Sequence, residues 1–96
     1  MVVGIARLEL YMSGNRSLKD KRRLIKSLVQ RARYRFPSLS LSEVDSLDLK
    51  NKATIGFGYV SNDSSLVNSV LEKVISFTES TGNFRVGEKE MDIIHF

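Results

Sequence analysis

The stretch VVGIARLELYM, residues 2–12, alternates between two kinds of side chain. Small and apolar residues occupy its even positions, whereas Arg7, Glu9 and Tyr11 lie on the other side. A period of two predicts a β-strand with one buried face and one partly exposed face. The following segments must supply the elements that cover the buried face.

The next segment predicts a helix. A short turn leads to Ser17 and Asp20, which have the spacing of a capping box with Asp in place of the usual Glu. Apolar residues then recur at about 100° per residue until Pro37, which cannot continue a helix. We predict a first helix from Leu18 to about Phe36.

Two weaker strand patterns follow this helix. Leucines that alternate with serines indicate a second strand over residues 39–45, and the polar residues 46–52 turn the chain. Residues 53–60 are rich in β-branched and aromatic side chains and predict a third strand. Within it, Gly56 and Gly58 mark a bulge or a close approach of backbone.

The last third of the chain repeats the pattern of a helix followed by a strand. Helix-capping residues at 61–64 precede apolar residues at helical spacing, which predicts a second helix to about Ser80. A turn around Gly82 leaves residues 84–96 as a final strand that Gly87 bends or bulges. The predicted order is therefore β-α-β-β-α-β.

This order is most simply satisfied by a ferredoxin-like α+β sandwich, a four-stranded antiparallel sheet with two helices on one face. The 96 residues suit a single domain spanning residues 1–96. One sheet face and two strand edges stay uncovered in such a fold. Homodimerisation or docking of a protein through that face or an edge strand is therefore an alternative role.

The composition argues against several classes of function. The chain has no cysteine, which excludes disulfides, thiolate metal sites and cysteine nucleophiles. Its single histidine, His95, stands far in sequence from most acids and serines, so we predict no metal site, no catalytic residue and no cofactor. We also find no leader or long apolar segment, and therefore expect a cytoplasmic protein without membrane contact. No residue pattern identifies a small-molecule substrate.

Charge is distributed unevenly along the chain. Residues 1–36 hold ten Lys and Arg against two acids, whereas residues 37–96 hold five against nine. The net charge is +4. This asymmetry predicts a polyanionic partner for the basic part.

The basic residues of the first helix form a stripe that adjoins its apolar face. They are Lys19, Arg22, Arg23, Lys26 and Arg33. Like charges at i and i+4 destabilise a helix, so local stability does not explain them. We predict that the stripe contacts RNA phosphates, with Arg16 assisting from the turn before the helix. The alternative is a solvated face whose cations pair with Glu43, Asp45 and Asp48.

The third strand carries a second, weaker indication of RNA binding. Phe57 and Tyr59 alternate as do the base-stacking aromatic residues on the third strand of RNA-recognition motifs. The flanking residues Ile55 and Asn62 depart from that signature. Burial of both rings against the helices is the alternative, because alternation places them on one face without saying which.

Several motifs together resemble one family of small bacterial domains. They are RLEL at 7–10, SLKDKRR at 17–23, EVD at 43–45, DL at 48–49 and SND at 61–63. In this combination, which extends to about Ser80, the chain resembles the YlxP-like family, whose function is not established.

The resemblance implies a ferredoxin-like fold and a connection to translation, because family members are often encoded near ribosome-binding factor A. It implies no catalytic residues, and family members usually have aliphatic residues at the positions of Phe57 and Tyr59. Lys21 is expected to project toward the margin of the apolar face and to pair with an acid such as Asp45. A non-catalytic RNA- or ribosome-binding module is therefore the leading hypothesis, and a small acylphosphatase-like enzyme acting at residues 13–16 is a remote alternative.

Overall fold

The computed structural model describes residues 1–96 and has the predicted order of elements. The strands are β1 (Val2–Tyr11), β2 (Ser40–Asp45), β3 (Lys52–Ser61) and β4 (Arg85–His95), and the helices are α1 (Leu18–Arg35) and α2 (Ser64–Ser80). The predicted boundaries agree with these to within one or two residues. Neither helix has the length and apolar character needed to cross a lipid bilayer.

The four strands form one antiparallel sheet in the order β2-β3-β1-β4. The even positions of β1 are buried, and α2 contacts β1, β3 and β4 while α1 contacts β2. Both helices therefore cover the same face, which confirms the ferredoxin-like α+β fold. The opposite face, here called the open face, carries the odd positions of β1.

Side-chain burial follows the predicted periodicities. Leu8 and Leu10 of β1 are at most 1% exposed, and Leu28 of α1 and Leu71 of α2 are at most 2% exposed. Full burial of one such leucine contributes about 1.5–3 kcal/mol relative to an exposed one. The core between sheet and helices is therefore the main source of stability.

Two glycines of the sheet occupy positions where a larger residue would collide with a neighbouring side chain. A Cβ atom on Gly4 would overlap the Val67 side chain, because α2 packs directly on the backbone of β1. On the open face, a Cβ atom on Gly87 would collide with the ring of Tyr11. The pairing of β1 with β4 shifts register between Leu8 and Leu10, so the predicted bulge at Gly87 is confirmed.

Candidate nucleic-acid interface

Helix α1 presents the basic stripe, defined as Lys19, Arg22, Arg23, Lys26 and Arg33, to solvent. All five residues are exposed, whereas Ile25, Leu28 and Ala32 face the sheet and are buried. The start of the helix is fixed by Ser17, whose hydroxyl accepts a hydrogen bond from the Asp20 N–H at 3.2 Å. This cap fixes where the helix begins, and the spacing of the residues then places the basic and the buried side chains on different sides of the helix.

None of the five stripe residues forms an ion pair within the chain. The three ion pairs of the structure are Arg7 with Glu90, Lys21 with Glu43, and Lys52 with Glu9. Neutralisation of the stripe by acids from across the fold therefore does not occur. The positive charge of the stripe is therefore exposed to solvent.

The local electrostatics of α1 oppose this arrangement. The pairs Lys19 with Arg23 and Arg22 with Lys26 stand four residues apart, and each such like-charge pair costs about 0.2–0.5 kcal/mol. Cations near a helix N-terminus also oppose the macrodipole, and Asp20 is the only acid in the first turn. Helix stability alone therefore does not favour these residue types at these positions.

The turn before α1 places Arg16 next to the stripe, and Arg16 is exposed. Two backbone N–H groups of this turn already have acceptors within the chain. The Asn15 N–H donates to Asn51 Oδ1 at 3.2 Å, and the Arg16 N–H donates to Asp20 Oδ2 at 2.8 Å. Arg16 can therefore meet a phosphate through its side chain, whereas its own N–H group and that of Asn15 are already hydrogen-bonded.

Lys21 lies within the basic run but is fully buried and does not belong to the stripe. Its ammonium group donates to Glu43 Oε2 at 2.8 Å and to the carbonyl oxygens of Ser46, Leu47 and Lys52 at 2.9, 3.2 and 3.2 Å. These acceptors satisfy the three N–H donors of a lysine. Lys21 therefore fixes the loop between β2 and β3.

The prediction that Lys21 pairs with an acid is confirmed, but the choice of Asp45 is wrong. In the sheet, Glu43 of β2 lies opposite the buried Ile55 of β3 and faces the helices. The register between β2 and β3 then shifts before Asp45. The Asp45 carboxylate instead accepts a hydrogen bond from the Ser46 N–H at 2.7 Å. This irregularity in β2 turns Asp45 away from Lys21.

The structure resolves which face of β3 carries the two aromatic residues. Phe57 pairs with Ala6 on the helix side and is 4% exposed, and Tyr59 lies on the same side against the core. Stacking of a base on these rings from the open face therefore has no geometric basis. Core packing, the alternative interpretation, is confirmed for Phe57.

An aromatic and arginine cluster at the end of α1 was not predicted. The rings of Phe36 and Phe77 meet edge to face with centroids 6.1 Å apart. The guanidinium groups of Arg31 and Arg35 lie 5.7 and 5.8 Å from the Phe77 centroid. Tyr34 stands beside them with its side chain in solvent. The cluster depends on α2, so the sequence of α1 alone gave no sign of it.

The open face also carries a mixed-charge cluster around a shallow hollow of about 220 Å³. Arg7 donates a hydrogen bond to Glu90, which together with the negative charge of Glu90 raises the pKa of the Arg7 guanidinium. The Tyr11 hydroxyl donates to Glu9 at 2.9 Å, and the Arg85 guanidinium lies 4.6 Å from the Tyr11 ring centroid. Four acids and two cations line the hollow, and Asp45 and Glu88 form no ion pair, so the hollow has an excess of negative charge.

Acidic side chains and the single histidine are the candidate metal ligands of this chain. His95 lies exposed at the end of β4. No group of three His, Asp or Glu side chains is close enough to hold a metal ion.

Comparisons with known proteins identify a family and a shared fold. A family model described as "Protein of unknown function (DUF503)" matches residues 3–91. No curated protein matches the chain.

Two solved structures are similar in fold. The structure named "De novo designed protein Foldit4" is 14% identical with a TM-score of 0.57, and the match covers 99% of this chain and 97% of that one. The structure named "Crystal structure of Putative Chlorite dismutase TA0507" is 13% identical with a TM-score of 0.55, and the match covers 97% of this chain but 44% of that one. At these identities the similarity concerns the fold alone.

Proposed function

Because the chain belongs to the DUF503 family of proteins of unknown function, we propose a function from its surface: a non-catalytic module that binds RNA, on the ribosome or free, through the basic stripe of α1. The observation that carries this proposal is the exposure of five cations on one helix side without an ion pair among them. Arg16 extends the same surface from the preceding turn.

Phosphate recognition by such a surface is mainly electrostatic. Each Lys or Arg that reaches a phosphate releases condensed counterions, so affinity falls as salt rises. Five contacts at about −0.7 to −0.9 each give a slope of log affinity against log salt of about −3.5 to −4.5. A partner that supplies phosphates would also relieve the repulsion among the stripe residues.

The resemblance to the YlxP-like family supports the ribosome as the source of the RNA, and the cytoplasm as the location. That family is connected with translation through the proximity of its genes to that of ribosome-binding factor A. The stripe consists only of Lys and Arg, residue types that supply many of the protein contacts to phosphates. We therefore expect recognition along the stripe to depend on RNA shape and charge.

We expect the double charge reversal Arg22→Glu and Lys26→Glu to abolish binding to ribosomal subunits and to a structured RNA. The change replaces two phosphate contacts by two repulsive carboxylates and lowers the net charge by four. Co-sedimentation with ribosomal subunits and fluorescence anisotropy across a salt series measure the effect. Circular dichroism should give an unchanged fold, because both side chains are exposed.

The matched control is Lys50→Glu with Lys73→Glu. These lysines are exposed, lie outside α1 and form no ion pair, so this variant makes the same change in net charge. We expect it to weaken binding far less. Equal losses of affinity in the two variants would mean that binding depends on net charge and not on the stripe. Retained binding by the variant with Arg22→Glu and Lys26→Glu would exclude the stripe as the binding surface.

The second candidate function is homodimerisation, which an apolar patch on the open face favours. Val3 pairs with Val60 on one side and Ile94 on the other, and Ile5 follows two residues along β1. Ile5, Val60 and Ile94 are 44%, 55% and 43% exposed.

This candidate predicts a concentration-dependent dimer that Ile5→Lys dissociates. A lysine at position 5, within the patch, would be desolvated in a face-to-face dimer, which is costly for an unpaired charge. Met91→Lys is the control, since Met91 is 42% exposed and pairs with Ala6 on the helix side of β4. Sedimentation as a monomer at the highest attainable concentration would contradict the dimer.

A further inference from the structure

Tyr34, near the end of α1, is the most exposed of the large hydrophobic residues. It is 91% exposed, more than the Phe96 at the C-terminus, which is 89% exposed. A ring in this position contributes nothing to the core. Ala32 of α1 is buried, whereas Arg33 and Tyr34 after it are exposed. The ring of Tyr34 therefore lies on the solvent side of the helix.

The surroundings of Tyr34 form a shallow hollow of about 410 Å³, here called the Tyr34 hollow. Its lining consists of Gln30, Arg31, Tyr34, Arg35 and Phe77. Arg31 and Arg35 both lie over the Phe77 ring, and Arg35 also lies over the Phe36 ring at 6.0 Å. Both guanidinium groups therefore lie within cation–π distance of aromatic rings.

The hollow offers stacking planes and positive charge. The exposed lining of the hollow is mostly apolar, which suits the face of a base, and two guanidinium groups border it. Arg31, Arg33 and Arg35 form no ion pair in the chain. An aromatic ring beside arginine planes and unpaired cations is the combination on which single-stranded nucleic acids dock, with the base stacked and the phosphate neutralised.

The hollow is continuous with the basic stripe. Gln30 lines it and stands one turn from Lys26, and Arg33 of the stripe precedes Tyr34. A strand whose phosphates follow the stripe would therefore reach the hollow at the end of α1.

We propose that the Tyr34 hollow receives an unpaired RNA base, which stacks on the Tyr34 ring while Arg31 and Arg35 contact the adjacent phosphates. This inference rests on the proposed function and narrows its partner to RNA that has an unstacked nucleotide next to a structured segment. A fully paired duplex presents phosphates to the stripe but no base to the hollow.

The test compares two fluorescein-labelled RNAs with equal numbers of phosphates, a hairpin with an adenine-rich loop and a blunt duplex. Wild-type protein is expected to bind the hairpin more tightly. Tyr34→Ala should weaken hairpin binding about 5- to 150-fold, the usual effect of removing one aromatic side chain that stacks on a base. It should leave duplex affinity and the salt slope unchanged, because no phosphate contact is lost.

Two further variants separate the ring from its hydroxyl and from general exposure. Tyr34→Phe keeps the stacking surface and should bind as the wild type does. Phe96→Ala removes an equally exposed ring elsewhere and should have no effect. A 2-aminopurine in the hairpin loop should lose fluorescence on binding to the wild type but not to Tyr34→Ala.

The outcomes distinguish this inference from the proposed function. Salt-dependent binding that requires Arg22 and Lys26 but is indifferent to Tyr34→Ala would overturn the base site alone. Equal losses for hairpin and duplex would also overturn it, since stacking does not act on paired bases. Absence of binding to either RNA at low salt would overturn both.

Discussion

Lys21→Met is expected to lower the free energy of unfolding by about 3–5 kcal/mol, the usual cost of removing one partner of a buried ion pair. Methionine preserves most of the side-chain volume but has no donor for Glu43 or for the three loop carbonyls. The Glu43 carboxylate would remain only 14% exposed and without its counter-ion. Urea denaturation followed by circular dichroism measures the loss.

Lys26→Met is the matched control, because it makes the same substitution on the exposed side of the same helix. Its effect should stay within about 0.5 kcal/mol. Adding Glu43→Leu to Lys21→Met should restore part of the loss, since no buried charge then remains unpaired. If Lys21→Met costs no more than Lys26→Met, the ammonium group does not stabilise the loop.

The basic run at residues 19–23 contains one buried lysine among exposed cations, so its members must be considered separately. Lys19, Arg22 and Arg23 are exposed and lack ion pairs, whereas Lys21 is buried among acceptors. Charge in the run is therefore found in two environments. Lys21 joins α1 to the loop after β2, whereas its neighbours are exposed to solvent.

Local patterns predicted the elements because each pattern reports a local constraint. Alternation in β1 follows from burial of one sheet face, and the cap at Ser17 fixes the start of α1. Gly87 indicated a bulge because a side chain there has no room beside Tyr11. The order of elements then left few arrangements other than the observed sheet.

Features that depend on contacts between distant segments could not be predicted. The partner of Lys21 depends on a register shift in β2 that moves Asp45 off the helix side. The buried face of β3 depends on its register with β1, which alternation alone leaves open. The Tyr34 hollow requires Phe77 from α2, so the sequence of α1 suggested only its positive charge.

Phe57→Ala is the second large effect, with an expected loss of about 3–5 kcal/mol in the free energy of unfolding. The ring is 4% exposed and belongs to the main core, so its removal leaves a cavity between β3 and the helices. Phe96→Ala is the control, because it removes the same ring from a site that is 89% exposed and should change stability by about 0.5 kcal/mol or less. Thermal and urea unfolding measure both variants.

Phe57→Leu separates a core role from base stacking without unfolding the domain. Leucine keeps much of the apolar volume at position 57, so we expect a smaller loss of stability than for alanine. Because the Phe57 ring faces the helices, hairpin RNA affinity should not change in this folded variant. A stable Phe57→Leu protein with affinity reduced as strongly as in Tyr34→Ala would instead move the stacking surface from the end of α1 to the sheet.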